Sequence, residues 1–135
     1  MALEDAIYDR LTRDHVGTAA LIGTRCFPLT KPQLEKRTCV VYQKLSGVRE
    51  IIGGSDSALA HPRFQFRLIA PNFAAVKELA IQVTAALSRW SGTLQSETIQ
   101  SSFPLNELDG PSVAGADGKI TSYSVLMDYE IWHAE

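Results

Sequence analysis

Cysteine is scarce in this chain. Cys26 and Cys39 are the only two, and they lack Cys-x-x-Cys spacing, which excludes a disulfide scaffold and a thiolate metal site. A surplus of positive charge is also missing. Thirteen Lys and Arg stand against fifteen Asp and Glu, a formal net charge of -2. Dedicated nucleic-acid binders draw most of their affinity from neutralising phosphates and releasing counterions, so that class is excluded. DNA passing nearby without specific binding is still compatible with this balance. No apolar run approaches the ~20 residues that span a bilayer, and no membrane partner is expected. The opening Met1-Ala2-Leu3-Glu4-Asp5 is acidic and has no apolar signal core, so synthesis in the cytoplasm is expected.

What is present is ordinary globular composition. The chain has 135 residues, 45% hydrophobic and 21% charged. A domain of this size hides roughly 70% of the surface its unfolded chain exposes. One domain over residues 1–135, with a real core, is the expectation.

Apolar spacing gives the elements. Leu3, Ile7 and Leu11 recur at four-residue steps and predict a first helix. Asp14 is placed to cap a second, short helix carrying Val16, Ala19, Ala20 and Leu21, ended by Gly23. Arg25-Cys26-Phe27 reads as a brief strand before Pro28, followed by a surface loop from Leu29 to Arg37. Thr38 to Ser46 reads as a central strand, with Cys39 as a buried thiol. Val48 to Pro62, with Gly53 and Gly54, reads as an extended hairpin joining two strands. Arg63 to Ala70 alternates, placing Phe64, Phe66 and Leu68 on one face and Arg63, Gln65 and Arg67 on the other.

Pro71 and Asn72 then start the clearest helix. Phe73, Val76, Ala80, Val83, Leu87 and Trp90 form its stripe, widened by Leu79 and Ile81, and Gly92 closes it. Thr93 to Phe103 reads as a weakly amphipathic edge strand and Leu105 to Gly118 as a loop. Ile120 to His133 reads as a long closing strand with Tyr123, Val125, Met127, Tyr129 and Ile131 on one face. The fold class is α+β: an antiparallel sheet of four to five strands against one long helix, with an N-terminal helical hairpin.

No catalytic constellation emerges. His15, His61 and His133 are isolated from one another and from cysteine, so no metal site is expected. The sequence has no His-Glu-x-x-His, no Walker loop and no Gly-x-Ser-x-Gly, and Gly53-Gly54 lacks the helix and lysine of a phosphate cradle. Asp128 and Glu130 share a strand face roughly 7 Å apart, which makes acid–base pairing conceivable. A solvated or interface face is the simpler reading. Cys26 as a nucleophile needs a positive field, and Arg25 beside it points the other way on a strand. No enzyme and no cofactor are expected.

Arg25-Cys26-Phe27-Pro28, a loop, and then Thr38-Cys39-Val40-Val41-Tyr42-Gln43 leading to Ser46-Gly47 resemble the phage tail completion, or tail terminator, family. So do Arg63-Phe64-Gln65-Phe66-Arg67-Leu68-Ile69-Ala70, the helix after it, and the closing Asp128-Tyr129-Glu130-Ile131-Trp132-His133. The likeness runs in order along nearly the whole chain. Thr38 departs from a frequent proline, and Cys26 from a branched or aromatic residue.

The resemblance implies a virion structural protein, such as occurs in phages, prophages and gene transfer agents. Such proteins form a ring, typically hexameric, at the head-proximal end of the tail. The implied partners are further copies of the chain, the major tail tube protein and a head–tail connector or stopper protein, with DNA in transient passage through the ring.

On this reading the protruding segments make subunit or axial contacts. The expected interface residues are Arg49, Glu50, Ile51, Ile52, Asp56, Arg63, Arg67, Asn106, Glu107 and Asp109. A small ligand-binding or enzymatic α+β domain of bacterial metabolism is the competing reading; it requires a pocket of converging polar groups, and the sequence clusters none.

Overall fold

The computed structural model describes residues 3–29, 31, 37–46, 49–52, 55–94, 97–110, 113–114, 118 and 120–134. Leu3, Ile7 and Leu11 form the expected buried stripe, but their helix changes its hydrogen bonding midway. Helix α1 (Leu3–Asp9) runs into a π-helical turn over Arg10–Asp14, where the His15 amide donates to the Arg10 carbonyl at 2.9 Å. Arg10 reaches across from this turn. Its Nε donates to the Ala86 carbonyl at 2.9 Å, and its guanidinium lies 5.7 Å from the centre of the Trp90 ring.

Helix α2 (Val16–Ile22) is capped by His15 instead of the expected Asp14, whose carboxylate is held by Arg10. The His15 Nδ1 accepts from the Thr18 amide at 3.3 Å. The buried positions of α2 are Thr18 and Ile22, one helical turn apart, while Val16 is 77% exposed. A seven-residue helix has too few turns to bury the wider stripe expected from Val16, Ala19, Ala20 and Leu21.

This cap is sensitive to pH. Burial lowers the His15 pKa below its usual 6.5, the Arg10 charge acts in the same direction, and Asp14 partly opposes them. The folded chain therefore binds its proton less readily than the unfolded chain, and the cap needs the neutral ring. Its stabilisation is complete above pH 6.5 and is lost as pH falls through the lower folded value. His15→Asn keeps an acceptor that does not titrate. Chemical denaturation at about pH 7.5 and about pH 5.5 should show a smaller loss of stability for this variant than for the wild type.

Strand β1 (Cys26–Pro28) runs parallel to β2 (Cys39–Ser46), a departure from the expected wholly antiparallel sheet. Arg25 fastens this corner: its Nε donates to the Thr38 carbonyl and its Nη2 to the Leu21 carbonyl, at 2.8 and 3.0 Å. The loop expected over residues 29–37 lies mostly outside the described residues.

The expected hairpin is present as a long regular ribbon. Strands β2 and β5 (Arg63–Ala70) pair antiparallel, and so do β3 (Arg49–Ile52) and β4 (Ser55–Ala60). The second ladder prolongs the first, so that one ribbon runs from Cys39 opposite Ile69 to Ile52 opposite Ser55. Register shifts at Lys44/Ser46 and Arg49/Ile51 bend and twist such a ribbon. Gly53 and Gly54 lie outside the described residues.

After β5 comes helix α3 (Phe73–Leu87), capped as expected by the Asn72 side chain, which accepts from the Ala75 amide at 2.7 Å. Val76, Leu79, Ala80, Val83, Ala86 and Leu87 are buried, whereas Phe73 and Ile81 face outward. The stripe is narrower than sequence spacing implies because the sheet covers only one side of the helix.

Strands β6 (Gly92–Leu94) and β7 (Glu97–Asp109) form a hairpin, and β7 flanks the closing strand β9 (Ile120–Ala134). The two-residue β8 (Val113–Ala114) pairs with the start of β9. The loop expected over Leu105–Gly118 is therefore corrected: Leu105–Asp109 is strand. Backbone pairing with β9 overrides a composition rich in turn residues, and Pro104 sits on an edge strand at a register shift, the kind of position to which proline in a sheet is confined.

The fold is mixed α+β. Its main path has six strands in the order β1-β2-β5-β9-β4-β3, more than the four to five expected. Three helical segments accompany it, the first prolonged by the π turn. The helices cover one face. Phe64, Phe66 and Leu68 of β5 and Val125, Met127, Tyr129 and Ile131 of β9 meet the buried side of α3 and the N-terminal Leu3, Ile7 and Leu11.

Candidate functional site

Cys26, Asp128 and Glu130, the groups the sequence offered for covalent or acid–base chemistry, are suppressed or engaged. Burial pushes the Cys26 thiol up to about 12, with Cys39 adding to the shift, so no thiolate forms near neutrality. Tyr42 is likewise raised to about 12, mainly by burial. Asp128 and Glu130 do share a face, but each is engaged separately. Asp128 is 7% exposed and accepts from Arg63 Nη2 at 2.7 Å. Glu130 accepts from the Trp132 indole at 2.9 Å and lies 3.5 Å from His61 Nδ1. The His61 ring stacks on Trp132 with centroids 4.1 Å apart. Among the described residues no group of three or more His, Cys, Asp and Glu is placed to hold a metal ion, and no helix is long and apolar enough to cross a membrane.

What the chain presents instead is surface. Residues directly opposite each other in an antiparallel pair share a face. Arg63, Gln65 and Arg67 of β5 oppose Glu130, Asp128 and Leu126 of β9, which puts all six on the face away from the helices. On β7, Phe103, Asn106 and Leu108 oppose Glu130, Asp128 and Leu126 and join that face. A concavity of about 220 Å³ opens there, lined by Leu29, Val41, Gln43, Gln65, Arg67 and Leu126. The Arg67 Nε is buried and has no hydrogen-bond partner.

The expected interface residues thus fall into separate groups. Arg49, Glu50, Ile51 and Ile52 lie on β3 and Asp56 on β4, along the far part of the ribbon. Strand β9 accompanies this part only at Leu59 and Ala60. Arg63 and Arg67 sit together on the open face. Asn106 lies on that face too, but Glu107 and Asp109 oppose Met127 and Val125 and belong to the helix side. There the Asp109 carboxylate accepts from Lys77 Nζ of α3. All three are strand residues and not loop residues.

Sequence reading missed the apolar part of this surface. Phe103, Leu105 and Leu108 of β7 are about half exposed, and Leu29 is 64% exposed. Two register shifts in β7, at Ile99/Ser101 and Pro104/Asn106, break the alternation that would have signalled them.

A family model described as "Tail completion protein gp17" matches residues 5–134. The chain belongs to the tail completion protein family. It is accordingly a structural protein of a phage-like tail and a virion component, in a family that is not one of enzymes. Among solved structures, a chain from the virion of a native gene transfer agent (GTA) particle has the same fold. Its TM-score is 0.76 at 21% identity, over 99% of this chain and 96% of that one. No curated protein matches the sequence. The described surface of this tail completion protein comprises an open sheet face, the β3–β4 ribbon and the apolar edge strand β7.

Proposed function

We propose that this tail completion protein forms a closed ring, hexameric by resemblance to the family, at the head-proximal end of a phage-like tail. The ring ends polymerisation of the tail tube, joins the tail to the head connector and leaves an opening for DNA. The observation that carries this reading is the asymmetry of the sheet. One flank extends into the β3–β4 ribbon, and the opposite flank is the apolar edge of β7. Contacts between unlike patches are head-to-tail, and they close into rings when the rotation between copies permits. A net charge of -2 gives DNA no general electrostatic hold on the ring.

Adding the purified chain to growing tail tubes and imaging them by electron microscopy tests this directly. A ring of fixed copy number on one end of each tube, with elongation arrested, is the expected result. Tubes that elongate unchecked and end bare would refute it.

A further inference from the structure

We propose that the far part of the β3–β4 ribbon of one copy seats in the Arg67 concavity of the next copy, with Asp56 as the partner of Arg67. This rests on the ring reading above and names its contact.

The concavity is a mixed site. Leu29, Val41 and Leu126 give it apolar walls, and Arg67 gives it a cation. The Nε of the Arg67 side chain is buried and has no hydrogen-bond partner. The nearby cation Arg63 is already matched by Asp128, and Glu130 is engaged by Trp132 and His61. Among the described residues of the open face, Arg67 is thus a charge without a counterpart, a state that invites an acceptor from outside. The ribbon has the complementary chemistry: Ile51 and Asp56 stand opposite each other on one rung. An apolar residue beside an acid answers the row Val41, Arg67, Leu126, whose members pair directly across β2, β5 and β9.

Geometry assigns the occupant. Arg67 and Asp56 lie on the same line of chain, β4 leading into β5 through His61 and Pro62. At roughly 3.3 Å per residue, the eleven residue steps from Asp56 to Arg67 span about 36 Å if fully extended, and somewhat less with the twist and the bulges. A ladder that leads away from the concavity does not bring its own Asp56 back to it, so this pairing requires a second copy. A folded chain of this length has a radius of gyration of about 14 Å, so the ribbon is long enough to cross from one subunit onto its neighbour.

The test is a charge exchange in the full chain. Arg67→Glu alone sets acid against acid, and Asp56→Arg alone sets base against base; each should weaken oligomer formation about tenfold or more in a native mass spectrometry dilution series. The double variant Arg67→Glu/Asp56→Arg restores every contact, and so does an equimolar mixture of the two single variants, which must alternate around the ring. Circular dichroism confirms that each variant is folded. Single variants that assemble like the wild type overturn the pairing, as does failure of both the double variant and the mixture to recover. Under either outcome the wild-type ring still stands. A wild-type chain that stays monomeric at every concentration and also leaves growing tail tubes bare overturns the ring reading, and the pairing with it.

Discussion

Replacing residues 50–58 with an Asn-Gly turn should yield a folded monomer that has lost its assembly. The pairs that hold β2 to β5 end at Ser46 opposite Arg63, and Arg49 still meets Ala60 beyond them. Leu59 and Ala60, which pair with β9, are retained as well. With Leu59 the inserted Asn-Gly makes a three-residue connection between Arg49 and Ala60, a common hairpin length in which a residue at positive φ is accommodated. The described core residues of β5, β9 and α3 are all retained, so the change in folding stability should stay within about 1 kcal/mol. Assembly should behave differently, because the excised part is the element that extends past the body of the sheet. Thermal melting and native mass spectrometry on the same sample separate the two effects. A variant that melts like the wild type and still assembles would remove the ribbon from the interface.

The largest effect on stability should come from Phe66→Ala. Phe66 is fully buried, lies 5.9 Å from Tyr129 in an edge-to-face contact and 6.3 Å from Phe64. It sits on β5, flanked by Tyr42 of β2 and Met127 of β9, so the surrounding strands are fixed by their ladders and cannot collapse into the space. Truncation of a buried phenylalanine at such a site costs about 3–5 kcal/mol. For a domain of this size that lowers the melting temperature by roughly 10–20 °C. Phe103→Ala is the matching control: that ring is 45% exposed on β7, and its removal should change stability by no more than about 0.5 kcal/mol. Equal losses for the two variants would contradict the assignment of Phe66 to the core.

Much of this was legible because it depends on local pattern. The alternation of Arg63–Ala70 is reproduced position by position, with Phe64, Phe66 and Leu68 buried and Arg63 exposed. The Asn72 cap, the core stripe of α3 and the buried row of β9 follow from spacing in the same way. Failures occur where a competing partner, near or remote in the chain, decides. Asp14 is a good capping residue by type, but Arg10 holds it and His15 takes the cap. Leu105–Asp109 has the composition of a loop, yet β9 supplies partners for its backbone and makes it strand.

The sequence by itself determined the class of fold, the inward faces of its main strands and long helix, and the absence of a recognisable catalytic motif, because periodicity and side-chain chemistry are properties of neighbouring residues. The tertiary structure alone decided which charges were matched and which edges were left open. Asp128 meets Arg63 across 65 residues of chain, while Arg67, two places along the same strand face, meets no acid among the described residues. Such pairings are set by strand order and register, which bring remote segments together and which no short stretch of sequence encodes.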